Sequence, residues 1–140
     1  MVDRIRLTDA AVLLGVSDDT LRRWADSGRI AVERDGGRAS VAGADLAALA
    51  ERIAAESPLA RLQPAHGASS ARNRVTGIVT RVLRDTVMAQ VELQAGPFRF
   101  VSLMSREAAD ELALEPGVVA TASVKATTVV IEHAEKKDHR

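Results

Sequence analysis

The sequence predicts an α+β protein made of two small parts. Helical periodicity, interrupted by one glycine-rich turn, runs through residues 5–56, whereas residues 70–131 consist mostly of short segments typical of strands. A stretch rich in Pro, Gly, Ala and Ser lies between them and suits an exposed connection. We therefore expect a first domain over 1–56, a linker over 57–69, a second domain over 70–132 and a flexible tail over 133–140.

The bulk composition restricts the function classes. The 140 residues are 46% hydrophobic and 27% charged, as in globular proteins, and no apolar run is long enough to predict a transmembrane helix. No cysteine is present and the three histidines are isolated, so no direct metal ligands are expected. The first residues lack the apolar stretch of a signal peptide, which predicts a cytoplasmic protein without a membrane partner. No catalytic constellation or phosphate loop occurs, so we do not expect an enzyme.

The segment Leu7–Ile30 reads as two short helices joined by a tight turn. Thr8 is positioned to cap the first helix, and Gly15 to end it. Ser17 can cap the second helix, and Gly28 can close it. This outline is that of a helix-turn-helix.

The second of these helices has two distinct faces. Leu21, Trp24 and Ala25 recur at the spacing of one helical face and are expected in the core. Polar side chains lie mostly off that face, namely Thr20, Arg22 and Arg23.

A hairpin and a third helix are predicted next. Asp35-Gly36-Gly37 separates two short strand-like pieces, with Arg34 and Arg38 beside the tip, so a basic wing is expected. The third helix should pack through Leu46, Leu49 and Ile53.

The stretch "LTDAAVLLGVSDDTLRRWADSGRI" with the following "GGR" resembles the winged helix-turn-helix of the MerR and excisionase-like families. The resemblance implies that the second helix enters the DNA major groove and that the wing touches phosphates. Double-stranded DNA is then a partner, contacted by Ser17, Thr20, Arg22, Arg23, Arg34 and Arg38.

The charge of the first part argues for weak binding by a single copy. The whole chain has a net charge of zero, and residues 1–60 contain eight Arg against ten Asp or Glu. Because phosphate neutralisation supplies most of the affinity of a DNA-binding domain, several copies in one assembly would be needed for useful binding. A helix-turn-helix used only for protein contacts is the alternative.

The second part predicts a compact β-barrel of the OB type with one short helix. In "TVMAQVELQ" the apolar residues alternate with polar ones, as in a strand with one buried face. Ser105 can cap the short helix, and Pro116-Gly117 turns the chain into a last strand that Lys125 interrupts. Four or five strands at this length suit an OB-like barrel.

Four polar residues of this part have no evident role in the core, and together they have the chemistry of an oxyanion site. Ser70 and Arg72 open the first strand, Ser105 precedes the helix, and Lys125 lies among small and apolar residues. Hydroxyl groups, a helix start and two cations are what a tetrahedral oxyanion needs to leave water. Whether these residues converge does not follow from their spacing, and Arg72 could instead pair with Asp85 or Glu92.

The stretches "SARNRVTGIV", "SREAADELALEPG" and "VKATTVVI" resemble the Mop module, also called molbindin or the TOBE-type domain. The resemblance implies an OB-like barrel that binds molybdate or tungstate between subunits. Single-module members form hexamers, built as trimers of strand-exchanged dimers, so a hexameric homo-oligomer is favoured and a dimer is the alternative. The implied oxyanion ligands are Ser70, Ala71, Arg72, Ser105, Lys125 and Ala126.

One position departs from the family pattern. Three residues after Ser105 the family often has a second serine, and here the residue is Ala108. Losing one hydroxyl donor would weaken binding by about 1–2 kcal/mol.

Together the two resemblances predict a molybdate- or tungstate-responsive transcriptional regulator. The alternative is an intracellular molybdate or tungstate store whose helix-turn-helix serves only protein contacts.

Overall fold

A computed structural model describes residues 3–65 and 67–133 of the chain. It divides the chain into two compact units, of which unit 1 ends at Pro58 and unit 2 begins at Leu59. This division falls inside the segment 57–69 that the sequence predicts as a linker. Except for His133, the predicted flexible tail lies outside the described residues.

Unit 1 contains three helices and a small antiparallel sheet of three strands. The helices are α1 (Leu7–Leu14), α2 (Asp18–Asp26) and α3 (Gly43–Glu56). The strands are β1 (Arg4–Arg6), β2 (Glu33–Asp35) and β3 (Arg38–Ala42), in the order β1-β3-β2.

The capping residues of the two short helices agree with the sequence at Ser17 and Gly15. Gly28, predicted to close α2, lies one residue beyond the C-cap Ser27 and has a left-handed backbone with φ 81°. Ser17 caps α2 by accepting the amide of Thr20 at 3.2 Å, and Gly15 caps the end of α1 with a left-handed backbone. The prediction that Thr8 caps α1 is wrong, because the helix already begins at Leu7. Its N-cap is Arg6, the last residue of β1, whose pairing with β3 leads the backbone directly into the helix.

The predicted wing is present as the β2–β3 hairpin. Asp35 pairs with Arg38 across a two-residue turn. Gly36 and Gly37 both have positive φ values, 57° and 83°, which a turn of this length requires and side chains disfavour. Strand β1, which the sequence did not indicate, adds to the other edge of β3.

The core of unit 1 joins all three helices and the sheet. Leu21, Leu49 and Val41 are its largest fully buried side chains. Trp24 and Ala25 are half-buried and pack against this cluster, so the predicted inner face of α2 is confirmed. The face of α3 is confirmed in the same way, with Leu46 buried and Ile53 packed at the margin.

Unit 2 is a curled antiparallel sheet with one short helix. Its strands are β4 (Asn73–Arg84), β5 (Met88–Ala95), β6 (Phe98–Ser105) and β7 (Val119–Val124), in the order β6-β5-β4-β7. Helix α4 (Arg106–Glu111) follows β6, and 3-10 turns occupy Pro58–Leu62 and Ala126–Thr128.

The predicted OB-like barrel is present as an open half-barrel. Within the described residues, β6 and β7 form the two edges of the sheet and do not pair with each other. The concave face holds the buried cluster of Val79, Val91, Leu93 and Leu114. A cavity of about 920 Å³ opens above that cluster, so the apolar interior is not closed by the described part of this unit.

The last predicted strand ends earlier than its composition suggests. Strand β7 stops at Val124, and residues 129–133 form no strand. Val130 and Ile131 are 81% and 85% exposed. An apolar segment therefore follows the half-barrel without packing into it.

Candidate functional site

The segment Ser70–Arg72 lies immediately before β4 and is organised by a residue that the sequence reasoning missed. Ser69 accepts the amide of Ala71 on its hydroxyl at 3.1 Å and the Arg72 guanidinium on its carbonyl at 3.0 Å. Ala71 is buried, whereas Ser70 and Arg72 are exposed. A serine two residues before a structured amide is a local turn signal that could have identified Ser69.

Lys125 lies beside this segment because of the register of β4 and β7. Asn73 pairs with Val124, and its side-chain amide also donates to the Val124 carbonyl at 3.1 Å. Arg72 directly precedes Asn73, and Lys125 directly follows Val124. Both residues therefore lie at the same end of the β4–β7 ladder. Ala126 follows at the start of a 3-10 turn, in which Thr128 donates its hydroxyl to the Lys125 carbonyl at 2.9 Å.

Arg72 and Lys125 make a local excess of positive charge. Neither forms an ion pair with a carboxylate in the described part of the chain. Two like charges at the same end of a ladder repel each other unless a counter-charge is present. This end of the β4–β7 ladder is therefore suited to an anion.

The alternative partners of Arg72 are both engaged elsewhere. Asp85 accepts the amides of Met88 and Val87 at 2.7 and 2.8 Å, and these hydrogen bonds hold the pKa of its carboxyl below the ordinary value. Glu92 accepts a hydrogen bond from Arg99, which likewise holds the pKa of Glu92 below its ordinary value. The interpretation of Arg72 as an ion-pair partner of either residue is thus not supported.

Ser105 lies at the opposite end of the sheet from the other predicted oxyanion ligands. It pairs with Met88 at the start of β5, which neighbours the Arg84 end of β4. Asn73 begins the same β4 strand, and the 12 residues of β4 separate its ends by on the order of 35 Å. Within one chain, therefore, Ser105 does not meet Arg72 and Lys125.

Ser105 caps α4 as the sequence predicts. Its hydroxyl oxygen accepts the amide of Ala108 at 3.1 Å, so the hydroxyl proton remains able to donate to another group. The expected free amides at this helix start are partly used, because the Arg106 amide donates to the Val87 carbonyl at 2.8 Å.

In unit 1, the predicted DNA contacts fall into two groups. The first group lies along one side of α2, where the Thr20 hydroxyl accepts hydrogen bonds from Ser17 at 2.9 Å and from Arg23 at 3.3 Å. We call Ser17, Thr20 and Arg23 the helix row.

The second group lines a cleft between α2 and the hairpin. Arg22, Arg34 and Arg38 all reach this cleft, which has a volume of about 560 Å³. Arg6 of β1 lines it as well, although the sequence reasoning did not select it. We call these four residues the arginine cleft.

Two classes of possible site are not found in the described residues. Residues 3–65 and 67–133 contain no group of three or more His, Cys, Asp or Glu able to hold a metal ion. No helix in those ranges has the length and apolar character needed to cross a bilayer.

The fold and these sites define a protein that joins a helix-turn-helix unit to an OB-like half-barrel. A family model described as a helix-turn-helix domain matches residues 5–54, and one described as a TOBE domain matches residues 69–131. The chain therefore carries a helix-turn-helix domain followed by a TOBE domain. The MerR or excisionase-like subtype stays a prediction, and neither matching family is an enzyme family.

Two solved structures are similar to the second part of the chain. A molybdate-binding protein from Sporomusa ovata is 28% identical over 48% of this chain and 100% of its own, with a TM-score of 0.46. MopII from Clostridium pasteurianum, in an apo form, is 34% identical over 47% of this chain and 100% of its own, with a TM-score of 0.44. A comparison with curated protein sequences gave no match.

Proposed function

We propose that this protein binds molybdate or tungstate between the subunits of a homo-oligomer and regulates transcription by binding double-stranded DNA. The observation that carries this proposal is the position of Arg72 and Lys125 at one end of the β4–β7 ladder, in a chain that also contains a helix-turn-helix. Neither cation forms an ion pair with a carboxylate among the described residues. Cytoplasmic location is part of the same proposal.

The donor set of unit 2 supports a tetrahedral oxyanion as ligand. Arg72 and Lys125 supply positive charge, and Ser70 supplies an exposed hydroxyl. Hydrogen bonds from charged donors are about twice as strong as neutral ones, which helps to replace the hydration of a doubly charged anion. Molybdate is also the ligand in the name of one of the two similar proteins.

The position of Ser105 supports a site shared between chains. Since β4 separates Ser105 from Lys125 in one chain, both can contact the same anion only if two chains contribute. A copy whose Ser105 end approaches the Lys125 end of another copy would complete the donor set.

The open half-barrel supports association through unit 2. Two free strand edges, an apolar cavity and the exposed Val130 and Ile131 all lie in this unit. Exposed apolar segments and unpaired edges are stabilised when a second chain covers them. We propose the hexamer as the assembly, with a dimer as its building block.

The helix row and the arginine cleft support DNA as the partner of unit 1. An oxyanion that binds only the assembled form stabilises that form by mass action. If the assembly spaces its helix-turn-helix units differently from the free form, molybdate changes the affinity for DNA.

Calorimetric titration of the full-length protein with sodium molybdate tests the oxyanion site. We expect micromolar or tighter binding that is selective over sulfate, and a loss of roughly tenfold or more in Arg72→Gln and Lys125→Ala. Arg81→Gln, which removes the same charge from the middle of β4, is the matched control and should bind as the wild type does. Equal binding by Arg72→Gln and Arg81→Gln would remove the proposed site.

The affinity for duplex DNA, measured with and without molybdate, tests the proposed regulation of transcription. Equal DNA affinity of the loaded and free protein would contradict regulation by the oxyanion. Oxyanion binding without any affinity for DNA would favour the storage alternative.

A further inference from the structure

Four arginines from four different elements of unit 1 meet in the arginine cleft. Arg6 comes from β1, Arg22 from α2, and Arg34 and Arg38 from the two strands of the hairpin. The remaining lining consists of small, apolar or hydroxyl-bearing residues, namely Leu7, Thr8, Gly37 and Ala39. No described carboxylate lines the cleft.

None of the four arginines forms an ion pair with a carboxylate among the described residues, although Asp35 is the strand partner of Arg38. The ion pairs of unit 1 involve other arginines, Arg4 with Glu33 and Arg29 with Glu56. Half of the eight arginines of residues 1–60 therefore line one concave surface. The net charge of minus two for that part of the chain hides this local concentration of arginines. Asp26 lines an adjoining pocket together with Arg22 and Arg34.

The helix row is separate from the cleft and has different chemistry. Thr20 and Arg23 are linked by a hydrogen bond of 3.3 Å on one side of α2, and neither lines the cleft. Hydroxyl and guanidinium groups on an exposed helix can read base edges, whereas a concave cluster of guanidinium groups recognises phosphate by charge. Such phosphate contacts position a protein on DNA but carry no sequence information.

We propose that the arginine cleft binds the phosphate backbone of double-stranded DNA, that Arg6 is a DNA contact, and that the helix row alone reads bases. This inference rests on the proposed DNA-binding function and divides its contacts by role. Arg22, which the resemblance places with Arg23 on the groove-facing helix, is assigned to the backbone.

The glycine turn of the hairpin is consistent with a backbone ligand. Gly37 is part of the cleft lining and carries no side chain, so a sugar-phosphate chain can approach the hairpin closely.

Binding of a fluorescein-labelled random-sequence duplex by the full-length protein, measured between about 50 and 200 mM NaCl, tests the inference. We expect Arg6→Gln to weaken binding about tenfold and to reduce the salt slope by about 0.9, as for one lost phosphate contact. Arg6→Lys keeps the charge and should restore most of the slope.

Arg52→Gln is the charge-matched control in the same unit. Arg52 donates to the Arg29 carbonyl at 3.2 Å and does not line the cleft. If Arg6→Gln and Arg52→Gln have the same affinity and slope, Arg6 is not a contact and the inference fails while DNA binding stands. If the wild-type protein binds no duplex, the proposed function fails together with the inference.

A selected duplex and the random duplex together test the division of roles. Arg22→Gln should weaken both by the same factor, whereas Arg23→Gln should weaken the selected duplex more. A loss of discrimination in Arg22→Gln would overturn the assignment of Arg22 to the backbone. Thermal unfolding of each variant, followed by circular dichroism, identifies any loss that comes from misfolding.

Discussion

Unit 1 and unit 2 differ in how far a single copy buries its apolar residues. Unit 1 encloses its apolar residues within a single copy, with three helices and a sheet around Leu21, Val41 and Leu49. Unit 2 leaves one side of its sheet open above a cavity of about 920 Å³ and leaves Val130 and Ile131 exposed. A domain of this size gains little stability from its own core, so unit 2 is the part expected to depend on association.

The contrast also assigns different requirements to the two candidate sites. The arginine cleft and the helix row are complete within one chain. The oxyanion ligands are divided between the two ends of β4. One site can therefore be tested in a monomer, whereas the other is proposed to need a second copy.

The largest expected effect comes from the exposed apolar segment of unit 2. The double variant Val130→Asp, Ile131→Asp should abolish assembly, since burying two unpaired charges costs several kcal/mol. Light scattering after size-exclusion chromatography should give a monomer, and calorimetry should give no molybdate binding. Val12→Asp with Leu13→Asp, on the exposed side of α1, is the control. If the segment variant keeps the mass of the wild type, the segment is not part of an interface.

The core of unit 1 should be the next most sensitive site. Leu49→Ala removes a fully buried side chain and should cost about 2–5 kcal/mol, enough to unfold a unit of this size. Molybdate binding should persist, because unit 2 has its own core. Differential scanning calorimetry measures the change, with the exposed Leu13→Ala as control. Loss of molybdate binding together with the unfolding of unit 1 would contradict the independence of the units.

The close approach of the β4 and β5 backbones at Gly77 predicts a smaller loss of stability in unit 2. A Cβ at Gly77 would lie 2.3 Å from the Gln94 carbonyl oxygen, so Gly77→Ala must shift β4 or β5. We expect a destabilisation of about 1–3 kcal/mol, measured by urea unfolding. Gly67→Ala, where a Cβ meets nothing within 4 Å, should be neutral. Equal stability of the two variants would mean that the sheet accommodates the extra methyl.

The two serine caps provide a matched pair across the units. Ser17→Ala and Ser105→Ala each remove a hydrogen bond to a helix amide and should each cost about 1 kcal/mol. Only Ser105→Ala should also weaken molybdate binding, because only Ser105 is proposed to contact the anion. A calorimetric titration in which both variants bind as the wild type does would remove Ser105 from the site.

Acid should weaken unit 2 through Asp85 by the smallest amount. The amides of Met88 and Val87 hold the pKa of Asp85 below its ordinary value of 3.8 in the folded chain. This carboxylate therefore stabilises the fold above that pH, and the contribution disappears as the pH falls through the lower folded pKa. Asp85→Asn should flatten the acid side of the stability curve, measured by urea unfolding at several pH values. An unchanged curve would mean that the contribution is negligible.

Local chemistry allowed much of this protein to be predicted from its sequence. Ser17, Gly15 and Ser105 lie at helix ends, and Gly36-Gly37 forms the hairpin turn. These roles could be predicted because each depends only on the backbone within three or four residues. The alternation in β5 also places Ala89, Val91 and Leu93 on the buried face. The buried face of α2 could likewise be predicted from local periodicity.

Features that depend on pairing across long stretches of sequence were decided by the tertiary structure. Strand β1 exists because Arg4–Arg6 pairs with Ser40–Ala42, which moves the start of α1 ahead of Thr8. The same pairing brings Arg6 to the arginine cleft.

The oxyanion ligands show most clearly that pairing between distant segments could not be predicted from the sequence. The residue types suited to an anion could be predicted from the sequence, because each side chain carries its own hydroxyl, guanidinium or ammonium chemistry. The strand register places Arg72 and Lys125 at the same end of the β4–β7 ladder, whereas Ser105 lies near the other end of β4. Turns set the register of the β4–β5 and β5–β6 hairpins locally, but the β4–β7 register joins residues dozens of positions apart.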